Sequence, residues 1–284
     1  MRTQPKFALK KMEVAMMYRD RQLASSTKTW AKILAIGAAT GMIMSATARA
    51  DEAQAKDLFK AMSDYLAAQK AISLEYDSTL EIVTQEQQKL GLASSGAVTL
   101  NRPDKIRATR IGGFTNVELV FDGKTVTLLG KTANFYAQAE MAGTIDHLVD
   151  TLRDEYHRPL PAADLLMSNP YDQLMPLVKD AMDLGSGMIR GVECDHLAFR
   201  TEEVDWQIWI AQGERPYPCR YVITSKKTAG GPQYTIDVRA WKTGAEVVSD
   251  DFKAEIPAGA KKVAPTEVGD LDELPTLFSP EGAK

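Results

Sequence analysis

Histidine and cysteine are scarce in this chain, with three His and two Cys among 284 residues. A structural zinc centre draws four ligands mostly from those two types, so the shortage argues against one. Cys194-Asp195-His196 brings thiolate, carboxylate and imidazole together. On a strand, however, Cys194 and His196 point one way and Asp195 the other. His147 and His157 belong to a different segment, and no metal site is expected. Catalytic signatures are missing too. There is no Gly-x-Ser-x-Gly elbow, and Gly185-Ser186-Gly187 lacks its spacing and reads as a loop between a helix and a strand. Gly112-Gly113 and Gly230-Gly231 lie between strands and open no helix, which excludes a phosphate-cradling loop. The acid pair Glu202-Glu203 flanks a hairpin and reads as solvated turn charge. Neither an enzyme nor a cofactor is expected.

Long apolar runs are also lacking. A membrane-spanning helix needs about 20 apolar residues, whereas the run Ile33-Leu-Ala-Ile-Gly-Ala-Ala-Thr-Gly-Met-Ile-Met-Ser45 has 13. Lys28 and Lys32 precede it and Ala46-Thr-Ala-Arg-Ala50 follows. A basic region, a short apolar region and a small-x-small site make residues 1–50 a secretory signal peptide, cut between Ala50 and Asp51. No Cys adjoins the cut, so the product is neither lipid-anchored nor, once cleaved, integral to a membrane. Met12, Met16 and Met17 are alternative starts that would shorten an unusually long leader. Periplasmic localisation is the expectation.

Positive charge is short in what remains. The leader holds nine of the 34 Lys and Arg but two of the 38 Asp and Glu, which leaves 25 basic against 36 acidic groups, a formal charge of −11. That balance excludes a nucleic-acid partner, which needs a basic footprint, and disfavours docking on anionic headgroups by charge. Export to an oxidising compartment makes a Cys194–Cys219 disulfide the expectation. Two unpaired buried thiols are the alternative. On a plain meander these segments sit two strands apart, and a bridge needs Cα atoms within about 7 Å.

What is present is mainly β. Residues 51–69 read as a helix, with Leu58, Phe59, Met62, Tyr65 and Leu66 on one face. The period then changes to two: Ile72, Leu74, Tyr76, Leu80 and Ile82 alternate with polar residues along a long strand. Strands follow at 96–101, 104–111, 115–121, 124–129 and 133–138, with Asp122-Gly123 as a two-residue hairpin signal. No ten-residue helical pattern separates them, so the sheet is antiparallel. A helical insertion spans about 143–182, with Ile145, Leu148, Val149 and Leu152 on one face and Asn169-Pro170 as a helix start. Strands resume at 188–200, 203–212, 217–226, 232–242 and 246–256, and residues 264–284 form a Pro-rich acidic tail.

Two strands carry an apolar face. Val204, Trp206, Ile208 and Ile210 point one way, with Trp209 opposite; Tyr234, Ile236 and Val238 oppose Thr235, Asp237 and Arg239. With only short helices to cover such a face, a curved sheet closed by helices makes a cavity, the usual home of an apolar ligand. Leu148 and Leu152 would line its lid.

The export signal, the N-terminal helix and the long first strand come in order with Asn101-Arg-Pro-Asp-Lys-Ile-Arg107, Phe121-Asp-Gly-Lys-Thr125, Ala133-Asn-Phe-Tyr136, Asp205-Trp-Gln-Ile-Trp-Ile210 and Phe252-Lys-Ala-Glu-Ile-Pro-Ala-Gly259. This series resembles the LolA/LolB lipoprotein-carrier superfamily over about residues 51–263. Glu193-Cys-Asp-His-Leu197 before the Trp-Gln-Ile-Trp strand is similar to a periplasmic branch of unassigned function. The resemblance implies an incomplete antiparallel β-barrel whose concave face is covered by an N-terminal helix and short lid helices. It also implies binding of a lipid or of a lipoprotein's acyl chains, as carrier or sensor. The alternative is a regulatory module on the same scaffold that binds an envelope protein without lipid transport. The carrier's lid-locking arginine has no match here, and a lipobox is absent.

Overall fold

The computed structural model describes residues 37–113, 115–156, 160, 162–265 and 268, with the backbone alone for 37–50. Residues 1–43 form one unit and 44–284 another, and the sheet belongs to the second. Residues 1–36 of the expected leader, His157 and most of the expected tail lie outside the described residues.

Helix α1 (Gly37–Ala68) begins well before the expected Asp51, because the stretch ahead of it contains no proline to stop a helix. Ala55, Phe59, Met62 and Leu66 recur at spacings of four, three and four and are fully buried. Lys60 pairs with Asp64 at 2.7 Å on the exposed side.

The sheet is built from two meanders. The first runs through β1 (Ala71–Val83), β2 (Lys89–Asn101), β3 (Lys105–Gly112), β4 (Asn116–Phe121), β5 (Thr125–Gly130) and β6 (Phe135–Glu140). After it come α2 (Ile145–Asp154), a 3-10 turn (Ala163–Leu166), α3 (Pro170–Leu174) and a second 3-10 turn (Met175–Leu177). The second meander runs through β7 (Asp180–Ile189), β8 (Val192–Arg200), β9 (Val204–Ala211), β10 (Pro218–Ser225) and β11 (Gln233–Thr243), and β12 (Lys261–Val263) ends the series. The strand order is β12-β6-β5-β4-β3-β2-β1-β11-β10-β9-β8-β7. Pairing is antiparallel except between β12 and β6. First and late strands meet at the centre, where Ile72 faces Thr243. The twelve-stranded sheet stays open, an incomplete half-barrel, as the resemblance implies.

One contiguous core lies on the concave side. Ile72, Leu100, Phe121, Leu197 and Ile208 from the sheet meet Phe59 and Met62 of α1 and Ile145 and Leu148 of α2. Thr144 caps α2 by accepting from the His147 amide at 3.2 Å, and Asp146 in the first turn suits the helix dipole. Asn169 caps α3 with Pro170 at its start.

Four local expectations are corrected. The helical insertion does not reach 182: helix ends at Leu177, and Asp180–Ile189 is an edge strand. Its Met182, Leu184 and Met188 are 45, 48 and 64% exposed, so the residues that imitate a helical core face are not one. Gly185-Ser186-Gly187, expected as a loop, lies inside β7 at a bulge between Asp183 and Ser186, with Gly185 at φ +84°. A bulge of this kind twists a free edge away from chance pairing. The hairpin after β4 turns on Gly123-Lys124, one residue later than expected, since Phe121 pairs with Val126 and Gly123 takes φ +92°.

Residues 246–256 are not a strand either. The neighbours of β3 and β4 already use their hydrogen-bonding edges, so this segment is tied to side chains on the outer face. Arg107 donates from Nε to Asp250 at 2.7 Å and from Nη2 to the Lys253 carbonyl at 2.9 Å, and also bonds Glu118. Phe252 is buried in this segment. Val120 and Leu129, which point away from the concave side, are buried as well.

Candidate apolar binding site

Strand alternation puts Trp206, Ile208 and Ile210 of β9 on the concave side, where they are 2, 0 and 2% exposed. This floor is filled. The Phe59 ring of α1 lies 5.3 Å from Trp206 and 5.5 Å from Phe199, and Phe199 stacks on Trp206 at 4.0 Å. Tyr221 meets Trp206 edge-on at 5.8 Å, and burial pushes its phenol well above the usual range. Leu148 is equally deep, while Val204 is half-buried at the margin of the same core. Tyr234, Ile236 and Val238 share the concave side through the pairing of Ile236 with Tyr221, but they remain partly exposed. Leu152 is also half-buried.

An open cleft of about 440 Å³, the solvent at its mouth included, lies at the other end of the sheet. Its walls are Leu119, Val126, Leu128, Ala137 and Ala139 of β4, β5 and β6, Leu152 and Tyr156 from α2 and the turn after it, and Pro265 and Val268. Of the residues expected from sequence, Leu152 alone lines this cleft. The space has a simple cause. Ala137 and Ala139 stand opposite Leu128 and Val126, so a pair of small side chains occupies positions that large ones fill elsewhere on the sheet. Alternate alanines in Phe135-Tyr-Ala-Gln-Ala-Glu140 are the signal that sequence reasoning passed over. Gln138, pointing away from them, donates to Thr127 at 3.1 Å.

The Cys-Asp-His cluster divides as strand geometry requires. His196 stacks on Trp209 at 3.9 Å and bonds Gln207 at 2.9 Å on the outer face. Arg220 sits over the same indole at 5.7 Å. Asp195 accepts from Gln212 at 2.7 Å. Among the described residues no group of three or more His, Cys, Asp or Glu is placed to hold a metal ion. Cys194 and Cys219 are buried free thiols, so the expected disulfide is not formed in this structure. They flank β9, as the two-strand spacing implies, yet approach to 2.9 Å. Ala211, small and buried between them, and the bulge between Pro218 and Arg220 leave room for the approach. Burial pushes both thiols above the ordinary thiol range and so disfavours the thiolate.

One family model, described as a predicted periplasmic protein (DUF2092), matches residues 55–265. The chain belongs to this family. The DUF2092 match spans the whole sheet and the helices α2 and α3. No curated protein matches the chain. Similar solved structures include an uncharacterized conserved protein from Thermus thermophilus, 12% identical with TM-score 0.42, covering 74% of this chain and 99% of that one. LprF from Mycobacterium bovis is 12% identical with TM-score 0.38 over 74% of this chain and 99% of its own. The Pseudomonas aeruginosa MucA/MucB complex is 13% identical with TM-score 0.41, covering 71% of this chain and 61% of that one. Likenesses this shallow carry no inference about ligand or partner. Among the described residues no helix of the DUF2092 protein is long and apolar enough to cross a membrane.

Proposed function

We propose that this DUF2092 protein holds an alkyl chain, from a lipid or from a lipoprotein, in the cleft between α2 and β4–β6, as a periplasmic carrier or sensor. The observation that carries the reading is the cleft itself, open at the surface with the apolar side chains of Leu119, Val126, Leu128 and Leu152 in its walls. Sites for small ligands have mostly apolar linings. Each methylene moved there from water contributes about 0.8 kcal/mol. The floor of Trp206, Ile208 and Ile210, with Leu148 beside it and Tyr234, Ile236 and Val238 further along, would extend the site only where Phe59 withdraws.

Export belongs to the same reading, with residues 1–50 removed before Asp51. In an oxidising compartment the neighbouring thiols of Cys194 and Cys219 would close into the disulfide by exchange with a disulfide-carrying oxidoreductase, which takes up the two electrons.

The test is binding of a fluorescent fatty-acid probe to the purified protein. Leu152→Asp changes a half-buried position and should weaken the probe at least tenfold, since a carboxylate resists burial beside an alkyl chain. A wild-type protein that ignores the probe, or a variant that binds it equally, would sink this reading. The second reading, an envelope protein as partner, is favoured by the free edge of β7 with its exposed Met182, Leu184 and Met188. It predicts capture of one specific partner that is lost on Met182→Lys.

A further inference from the structure

The sheet under the cleft is ordered in rows. On the concave side the pairing of β4, β5 and β6 places Val117, Gly130 and Phe135 in one row, Leu119, Leu128 and Ala137 in the next, and Phe121, Val126 and Ala139 in the third. The cleft draws its walls from the second and third rows and takes none from the first. What fills the first row is the ring of Phe135. A β carbon at position 130 would stand 2.3 Å from Cε1 and 2.5 Å from Cζ of that ring, so the aromatic lies across Gly130 in the space a side chain there would take. Glycine permits this approach because it has no β carbon. Past the other end of the alanine pair, Met141 continues the ladder by one row, its amide bonded to the Lys124 carbonyl at 2.7 Å. Its side chain is 6% exposed and belongs to the main core.

Along this face β6 and its continuation therefore read Phe135, Ala137, Ala139, Met141, two small side chains between two large ones. At about 3.4 Å per residue the stretch from Phe135 to Met141 spans about 20 Å, and the alanine rows free only its middle. We propose that Phe135 is a specificity-determining residue, which stops the cleft and sets the length of alkyl chain the protein accepts. This rests on the cleft being the alkyl site. It deepens that reading by naming a ligand of limited chain length in place of any apolar molecule. Each methylene that finds apolar cover improves affinity about fourfold, so affinity climbs with chain length and levels off at the carbon that meets the ring. The same ring has a plainer role, because an aromatic laid over a cross-strand glycine stabilises a sheet. That role alone predicts a less stable Phe135→Ala with an unchanged length limit.

The experiment uses saturated fatty acids of increasing length to displace a fluorescent fatty-acid probe from the purified protein, and reads where the gain per carbon ends. Phe135→Ala should move that plateau to longer chains, with the longest bound roughly tenfold tighter than by the wild type. Ala137→Leu adds bulk one row further into the cleft and should move the plateau to shorter chains. A plateau that stays in place in Phe135→Ala, or a wild type that shows none, would overturn the proposal and leave the alkyl site standing. Should Phe135→Ala not fold, a plateau unmoved in Ala137→Leu would overturn it equally. If no form binds the probe or any chain, the alkyl reading itself falls and the length limit falls with it.

Discussion

Replacing Phe59 by alanine tests whether α1 is part of the core or a detachable cover. Phe59 is fully buried, and its ring lies 5.3, 5.5 and 6.1 Å from the rings of Trp206, Phe199 and Tyr171. Truncating a buried phenylalanine costs about 3–5 kcal/mol through lost transfer energy and the cavity left behind. Aromatic pairs add about 0.5–1.5 kcal/mol beyond area, and Phe59 has several, so the upper part of that range applies. For a domain of this size 1 kcal/mol lowers Tm by about 2–4 °C, which makes the expected drop roughly 8–20 °C. Total stabilities run about 5–15 kcal/mol, so the variant should still fold in the cold. Urea unfolding followed by tryptophan fluorescence measures it, because Trp206 is in contact with the deleted ring. Phe59→Leu should recover more than half of the loss. A cost below about 1 kcal/mol for Phe59→Ala would mean that α1 rests on the sheet without sealing it, and the floor of Trp206 and Ile208 would then be open to ligand.

Arg107→Ala should release the segment 247–260 and cost about 1.5–3 kcal/mol, the range for hydrogen bonds to charged groups, since it leaves Glu118, 7% exposed, with Lys131 as its ion partner; limited proteolysis should cut that segment in the variant and spare it in the wild type. The hydrogen bond from Arg107 holds Asp250 below its ordinary range, and the bonds from Lys131 and Arg107 lower Glu118 although burial opposes them. Folded values below unfolded ones mean that this stabilisation is complete above the ordinary carboxylate range and is lost as pH falls through the lowered values, so acid should shrink the difference between wild type and Arg107→Ala; a difference that grows in acid refutes the assignment. Protein taken from the periplasm should show no reactive thiols when denatured without reductant, while cytoplasmic protein should show two; two in both retires the Cys194–Cys219 bridge. Intact mass of the exported product should correspond to a chain starting at Asp51, and a retained 30–50 segment would contradict cleavage.

The strands that alternate cleanly were readable because one face of each meets the core. Ile72 and Leu74 of β1 and Trp206, Ile208 and Ile210 of β9 are buried while their neighbours are less so. Alternation is a local property, however, and does not reveal whether an edge is available to pair with. Phe252 and the residues around it alternate like a strand, yet β3 and β4 were already paired on both sides, and the chain crosses their outer face instead. β7 escaped for the opposite reason: at the edge of a sheet its Met182 and Leu184 bury little, so its apolar pattern no longer reports the core. The deep positions Trp206 and Leu148 were found because they are large. The cleft was missed because Ala137 and Ala139 matter by what they do not fill, which depends on Leu128 and Leu152 arriving from elsewhere in the chain.

The pairing of β1 with β11 also sets an order of events. Ile72 and Thr243 are neighbours in the sheet but stand at opposite ends of the folded sequence, and a contact that closes so long a loop forms late. A chain threaded outward from its N-terminus can complete the meander β1–β6 on its own, yet one side of β1 then waits unpaired for a strand that has not crossed. An exposed edge of 13 residues is a template for wrong partners. The time of greatest danger for this protein therefore falls between the emergence of β1 and the arrival of β11, and a lesion in β11 should reveal itself as aggregation during folding before it registers as a loss of stability in the finished fold.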